Sequence, residues 1–145
     1  MSHSYIKIWI HLVFSTKDRE PMILESFDKQ LHNHIKTKLI EEFECYFEEI
    51  NGTKDHIHIL FQISPNFSLQ NIIKNIKGES SHWINQKNFL KRKFLWQTGY
   101  SAFSISVDKV EIVRKYIQKQ KSHHKKLTFS EELEKFLKIY GFKDK

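Results

Sequence analysis

From Tyr5 to Phe14 the chain alternates, with Ile6, Ile8, Ile10, Leu12 and Phe14 on one side and Lys7, Trp9, His11 and Val13 on the other. A period of two predicts a half-buried strand. Beyond the turn-prone stretch Thr16 to Pro21, Phe27, Leu31, Ile35, Leu39 and Phe43 recur at helical spacing among charged neighbours, which predicts an amphipathic helix over residues 23 to 43. Cys45 to Ile50 reads as a short extended segment. Asn51-Gly52 is a turn signal, and behind it Ile57, Ile59, Phe61 and Ile63 alternate with His56, His58, Leu60 and Gln62, as in the second strand of a hairpin.

Ser64-Pro65-Asn66 stops that strand, Ser68 is an N-cap residue, and Leu69, Ile72, Ile73, Ile76, Trp83 and Ile84 form a helical stripe to about residue 87. A basic stretch from Lys87 to Lys93 leads to Leu95-Trp96 and to a further strand in which Phe103, Ile105 and Val107 alternate with Ala102, Ser104 and Ser106. The order β-α-β-β-α-β predicts an α+β, ferredoxin-like (RRM-like) antiparallel sheet, with both helices on one face and the other face left free. Two helices follow this core of residues 4 to 107. One spans about 109 to 126. The other starts at the capping box Thr128-Phe129-Ser130-Glu131 and ends near Gly141, with Leu133, Phe136, Leu137 and Tyr140 on its apolar side. No internal repeat or low-complexity segment interrupts this order.

Size and composition narrow the class. At 145 residues with only 4 Gly and 2 Pro, the chain reads as one domain over residues 1 to 145 without a flexible linker. The net charge of +7 and a pI near 9.4 point to an anionic partner. A 39% hydrophobic and 14% aromatic content supplies a core, which excludes a disordered basic tail. Cys45 alone cannot build a disulfide framework or a multi-cysteine zinc site. With no apolar run near the roughly 18 residues of a membrane span, the expectation is a soluble cytoplasmic protein that does not engage a membrane.

The candidate chemistry starts at His56-Ile57-His58. Residues two apart on a strand share a side, roughly 6–7 Å apart, so two imidazoles there can converge on one metal ion. A solvent-facing polar pair has the same pattern. In the helix that follows the last strand, Tyr116 and Gln120 stack one turn apart beside Val110, Val113 and Ile117, while Lys115, Lys119 and Lys126 lie on the far side. A tyrosine beside a metal can act as a nucleophile on a phosphodiester. An ordinary boundary aromatic would satisfy the same spacing.

Taken together, Asp55-His56-Ile57-His58-Ile59-Leu60, Lys77-Gly78-Glu79-Ser80-Ser81, Leu95-Trp96-Gln97-Thr98-Gly99-Tyr100 and Tyr116-Ile117-Gln118-Lys119-Gln120 with His123-His124 closely resemble the small single-tyrosine HUH transposases of a bacterial insertion-sequence family, relatives of the repeat-associated tyrosine transposases. The resemblance runs from about Tyr5 to Phe142. It implies that His56 and His58 are metal ligands, Gln120 the third ligand, and Tyr116 the nucleophile. Tyr116 would cleave single-stranded DNA, keep the 5′-phosphate and release a free 3′-OH. Two imidazoles and an amide oxygen suit Mg²⁺ or Mn²⁺. The resemblance further implies DNA with hairpin ends as substrate, a bacterial or archaeal host, and a homodimer in which one subunit's tyrosine helix can serve the other. The connection Val107-Asp108-Lys109 has no glycine to favour such a swing.

Lys74, Lys77, Arg92, Lys93, Arg114, Lys115, Lys119 and Lys121 are the candidate phosphate contacts, with Trp96 or Tyr100 as stacking partners for bases; Trp83, on an apolar stripe, reads as core. A carboxylate directly before the pair could orient an imidazole or add a ligand, although on an ideal strand Asp55 points away from His56. His123 and His124 suit solvent or phosphate as well as metal. Three other functions fit parts of the pattern. A domesticated repeat-associated endonuclease would use the same chemistry on a host target. A non-catalytic single-strand-binding module would need exposed aromatics on the central strands, where this chain has His56, His58, Leu60 and Gln62. A hydrolytic nuclease would not need Tyr116.

Overall fold

The structure, a computed structural model, describes residues 4–123 and 127–141. Strands β1 (Trp9–Ser15), β2 (Tyr46–Gly52), β3 (His56–Gln62) and β4 (Ser101–Ile105) form one antiparallel sheet in the order β2-β3-β1-β4. Helix α1 (Asp28–Glu41) links β1 to β2 and α2 (Leu69–Gln86) links β3 to β4; α3 (Val110–Gln118), α4 (Gln120–His123) and α5 (Phe129–Ile139) follow. This is the expected ferredoxin-like α+β order. Among the described residues no helix is long and apolar enough to cross a membrane.

The predicted alternation builds the first layer contact. Ile10, Leu12 and Phe14 of β1 and Ile57, Ile59 and Phe61 of β3 face Leu31, Ile35 and Leu39 of α1 and Ile72, Ile73, Ile76 and Ile84 of α2. Each such side chain contributes roughly 1.5–3 kcal/mol when fully buried. Ser68 caps α2 by accepting from Asn71 N at 3.1 Å. The long connection after α2 is tied back by Asn85, which donates to Phe94 O and accepts from Phe94 N, and by Trp96 Nε1, which donates to Ser80 Oγ at 2.9 Å.

The second face of the sheet is not free. Trp9, Val13, Leu60, Phe103 and Ile105 make it apolar, and α3 and α5 cover it with Val110, Val113 and Ile117 and with Phe129, Leu133, Phe136 and Tyr140. An open face of that composition would leave a large apolar surface in water. The molecule therefore has three layers, with the sheet in the middle.

Other boundaries move for local reasons. β1 begins at Trp9, since β3 and β4 end opposite it, and Ile6 and Ile8 are about half exposed. α1 begins at Asp28; Met22 and Ile23 are buried from a non-helical segment. Asn51 and Gly52 belong to the β2–β3 ladder, opposite His58 and Ile57, and the turn falls at Thr53–Asp55. A Cβ on Gly52 would sit 2.2 Å from His56 O, so this strand end requires glycine. The helix expected over 109 to 126 breaks at Lys119 (φ −96, ψ 14). His124 and Lys126, like Phe142, lie outside the described residues.

Candidate active site

His56 and His58 do share one side of β3, but both are fully buried beneath α4 and α5. Each ring is held through Nδ1. Asp55 Oδ1 lies 2.7 Å from His56 Nδ1 and also accepts from Thr53 Oγ1; His11 Nε2 lies 2.8 Å from His58 Nδ1. Asp55 reaches His56 because it precedes the first residue of β3 and is free of the strand's alternation. His11 comes from β1, next to β3, with its ring stacked on His58 at 5.1 Å. Fixing Nδ1 leaves both Nε2 atoms aimed into one space, which is how metal-binding imidazoles are held.

Three side chains from the C-terminal helices meet those atoms. Gln120 Oε1 is 3.1 Å from His56 Nε2. Glu132 Oε1 is 2.8 Å from His58 Nε2 and 3.3 Å from His56 Nε2. The Tyr116 hydroxyl donates to Glu132 Oε2, to which Gln120 Nε2 also donates at 3.3 Å. The Tyr116 ring stands edge-on to His58 with centroids 5.8 Å apart. All of this comes from one chain.

Glu132 is the residue that the sequence pattern did not single out. Thr128 caps α5 as expected, accepting from Glu131 N at 3.2 Å while Glu131 reaches back to Thr128 N. Glu132 is next along, on the stripe of Phe129 and Phe136, and only 4% exposed. A carboxylate inside an otherwise apolar stripe was the available signal. His11 gave a similar one, as an imidazole between Trp9 and Val13 on an apolar strand face.

Burial and pairing divide the charges. Burial alone would lower the His56 pKa, but Asp55 and Glu132 raise it above the ordinary value. His58 is lowered, first by burial and then by His56, with Glu132 opposing. His11 is held well below its usual value by burial and by His58. Burial works against the ionised Glu132 carboxyl, yet its bonds to His56 and His58 hold its pKa down. The Tyr116 phenol is pushed up by burial and by the carboxylate it bonds. These surroundings favour the ionised Glu132 carboxylate and the charged form of His56, and disfavour charge on His58, His11 and the Tyr116 phenol.

The donors fit a divalent cation. Ligand atoms of His56, His58 and Glu132 all lie within 4.8 Å of one another, and the Gln120 amide oxygen adjoins them. Two imidazoles with a carboxylate and an amide oxygen form a nitrogen and oxygen donor set of the kind that divalent cations take.

Against known families, the model described as Transposase IS200 like matches residues 4–120. The chain belongs to this family. The matched segment contains the histidine pair, Tyr116 and Gln120, and ends before α5. Among solved structures, a candidate transposase from Deinococcus radiodurans superposes with a TM-score of 0.64 at 20% identity, over 83% of this chain and 96% of that one. A REP-associated tyrosine transposase bound to a REP hairpin superposes with a TM-score of 0.64 at 16% identity, over 86% of this chain and 73% of that one. Both likenesses bear on the fold. No curated protein sequence matches significantly.

The expected basic track of the transposase is dispersed. Lys74 and Lys77 sit on α2, on the opposite side of the sheet from α3, and Lys77 Nζ donates to Gln97 O and Gly99 O. Arg92 lies 3.6 Å from Glu20, and Arg114 pairs with Glu111, which also has Lys115 at 3.9 Å. Lys121 is bound to Asp28, Asn51 and Gly52. Lys93 and Lys119 are exposed. Trp83 is half-buried and stacks on His34, Trp96 is held by Ser80, and Tyr100 is 44% exposed. Cys45 is buried, as a small apolar residue would be.

Proposed function

We propose that this transposase cleaves and rejoins single-stranded DNA through Tyr116, assisted by Mg²⁺ or Mn²⁺ at His56, His58 and Gln120, with Glu132 as an additional oxygen donor. The observation that carries this reading is the convergence of the Tyr116 hydroxyl, the Gln120 amide and both imidazole Nε2 atoms on one carboxylate. A divalent ion held there would supply positive charge to the non-bridging oxygens of a phosphodiester. The chain's own residues do the rest. The phenol oxygen of Tyr116 attacks phosphorus as its proton passes to the Glu132 carboxylate it bonds. The P–O3′ bond breaks, the 3′-oxygen leaves and takes up that proton as a free 3′-OH, and the 5′-phosphate stays on tyrosine. Attack by a 3′-OH reverses the step and joins strands, so the phosphodiester energy is retained throughout.

His56, His58 and Gln120 are fully buried in the DNA-free chain. DNA with hairpin ends is the substrate in this reading, and a homodimer its working form, with each tyrosine serving its own subunit's histidines. The test is incubation with fluorescent single-stranded hairpin oligonucleotides in Mg²⁺, Mn²⁺ or EDTA, followed by denaturing gels. A metal-dependent protein–DNA band, absent in Tyr116→Phe and His58→Ala, supports the reading. Cleavage that persists in Tyr116→Phe without a band would make the protein a hydrolytic nuclease.

A further inference from the structure

The helix that carries Tyr116 does not run on to Gln120. It ends at Gln118, where the Lys119 amide closes the last turn on Lys115 O and Tyr116 O, and resumes as α4, so the regular ladder does not run on through Ile117 O and Gln118 O. One side chain outside the helices meets both. Asn51 Nδ2 donates to Ile117 O at 3.0 Å and to Gln118 O at 3.1 Å. Its Oδ1 accepts from Lys121 Nζ at 3.3 Å, and the same ammonium donates to Gly52 O at 3.1 Å and lies 3.1 Å from Asp28 Oδ2. The amide orientation is fixed by chemistry, because the reverse would set its oxygen against two carbonyls and its NH₂ against an ammonium.

Asn51 also has a fixed relation to the metal-binding strand. It pairs across the ladder with His58 and therefore shares that residue's face of the sheet. Gln118 Nε2 adds a bond to Glu49 Oε2 at 2.9 Å from the same strand. We infer that Asn51, braced by Lys121, is a positioning residue that pins the α3–α4 break to β2, so that Tyr116 and Gln120 meet the histidine pair of their own chain. The consequence for catalysis rests on the phosphotyrosine reading above; the pinning itself does not.

The test uses the full chain with Asn51→Leu, which removes both donors and the acceptor, Asn51→Asp, which keeps only the acceptor, and Lys121→Met, which leaves the two carbonyl bonds. Single-turnover adduct formation is followed against oligonucleotide concentration. The expected result is a rate at saturating DNA about 10–100-fold lower in the Asn51 variants, with Lys121→Met between them and wild type and half-saturation within twofold throughout. Wild-type rates in folded variants, or a loss confined to half-saturation, would overturn the inference. A purely stabilising role would change unfolding and leave the saturated rate intact. Amide hydrogen exchange gives a second readout that needs no activity. Exchange at Lys119 to Ser122 should quicken in Asn51→Leu while α2 stays protected, and unchanged exchange there overturns the pinning. Should the unaltered protein form no adduct, the phosphotyrosine reading fails and exchange alone decides the clamp.

Discussion

Replacing Glu132 by Gln keeps the shape of the side chain and removes its charge. The carboxylate accepts from His58 Nε2 at 2.8 Å and His56 Nε2 at 3.3 Å, and from the Tyr116 hydroxyl and Gln120 Nε2 on its other oxygen. A hydrogen bond to a charged group is worth about 1.5–3 kcal/mol against about 0.5–1.5 for a neutral one, so the two imidazole bonds each lose about 1 kcal/mol. The new NH₂ must oppose a donor whichever way it turns, which adds about 1 kcal/mol more. A loss of about 3 kcal/mol in a chain of 145 residues lowers Tm by roughly 10 °C. Thermal unfolding followed by circular dichroism in EDTA measures it. Glu131→Gln, which touches only the exposed capping box, is the control and should lose under about 1 kcal/mol. Added Mn²⁺ at about 100 times its Kd should stabilise wild type by about 2.7 kcal/mol and the Glu132 variant by clearly less. A Glu132→Gln protein that melts within 2 °C (roughly 0.5 kcal/mol) of wild type in EDTA, and gains as much from Mn²⁺, would refute the placement of α5 over the histidines.

Three further outcomes follow from named contacts. His11→Leu removes the partner that holds His58 by Nδ1, and Mn²⁺ affinity by titration calorimetry should fall about 10–100-fold; a change within twofold would deny His11 that role. Gly52→Ala drives a methyl into the His56 carbonyl, and urea unfolding should show a loss of about 3 kcal/mol or more, whereas a loss below about 1 kcal/mol would contradict the close approach. The His32 pKa is lowered to about 4 by burial and by Lys121, with Asp28 opposing. Between pH 6.5 and 4 the unfolded chain therefore binds the extra proton, and stability falls as pH falls. By pH 4.5 this group removes about 2 kcal/mol, so His32→Gln should flatten the pH dependence of unfolding by that amount; parallel curves would show that His32 titrates normally.

The sheet was legible because its first face obeys a strict period of two, and His56 and His58 were legible for the same reason. The second face carried equally plain signals in Trp9, Val13, Leu60, Phe103 and Ile105, whose apolar character matches the stripe on α5. Those two halves are remote in sequence, and no local pattern says that they meet. Glu132 stayed hidden on that account, bonded to His58 across 74 positions. The break at Lys119 was hidden too. Its nearest external support is Asn51, 66 residues before Ile117, so the helical period through Tyr116 and Gln120 reads as unbroken. Asp55 was placed away from His56 by strand alternation, which does not apply to a residue still in the turn.

The chemistry itself is decided by locating the covalent bond. Adduct formed in Mn²⁺ on a hairpin oligonucleotide is trimmed with nuclease, digested with protease and sequenced by tandem mass spectrometry. The expected product is a nucleotide joined through its 5′-phosphate to Tyr116 and to no other tyrosine, with the released strand ending in a free 3′-OH. A phosphonucleotide on another residue, or a linkage through a 3′-phosphate, would contradict it.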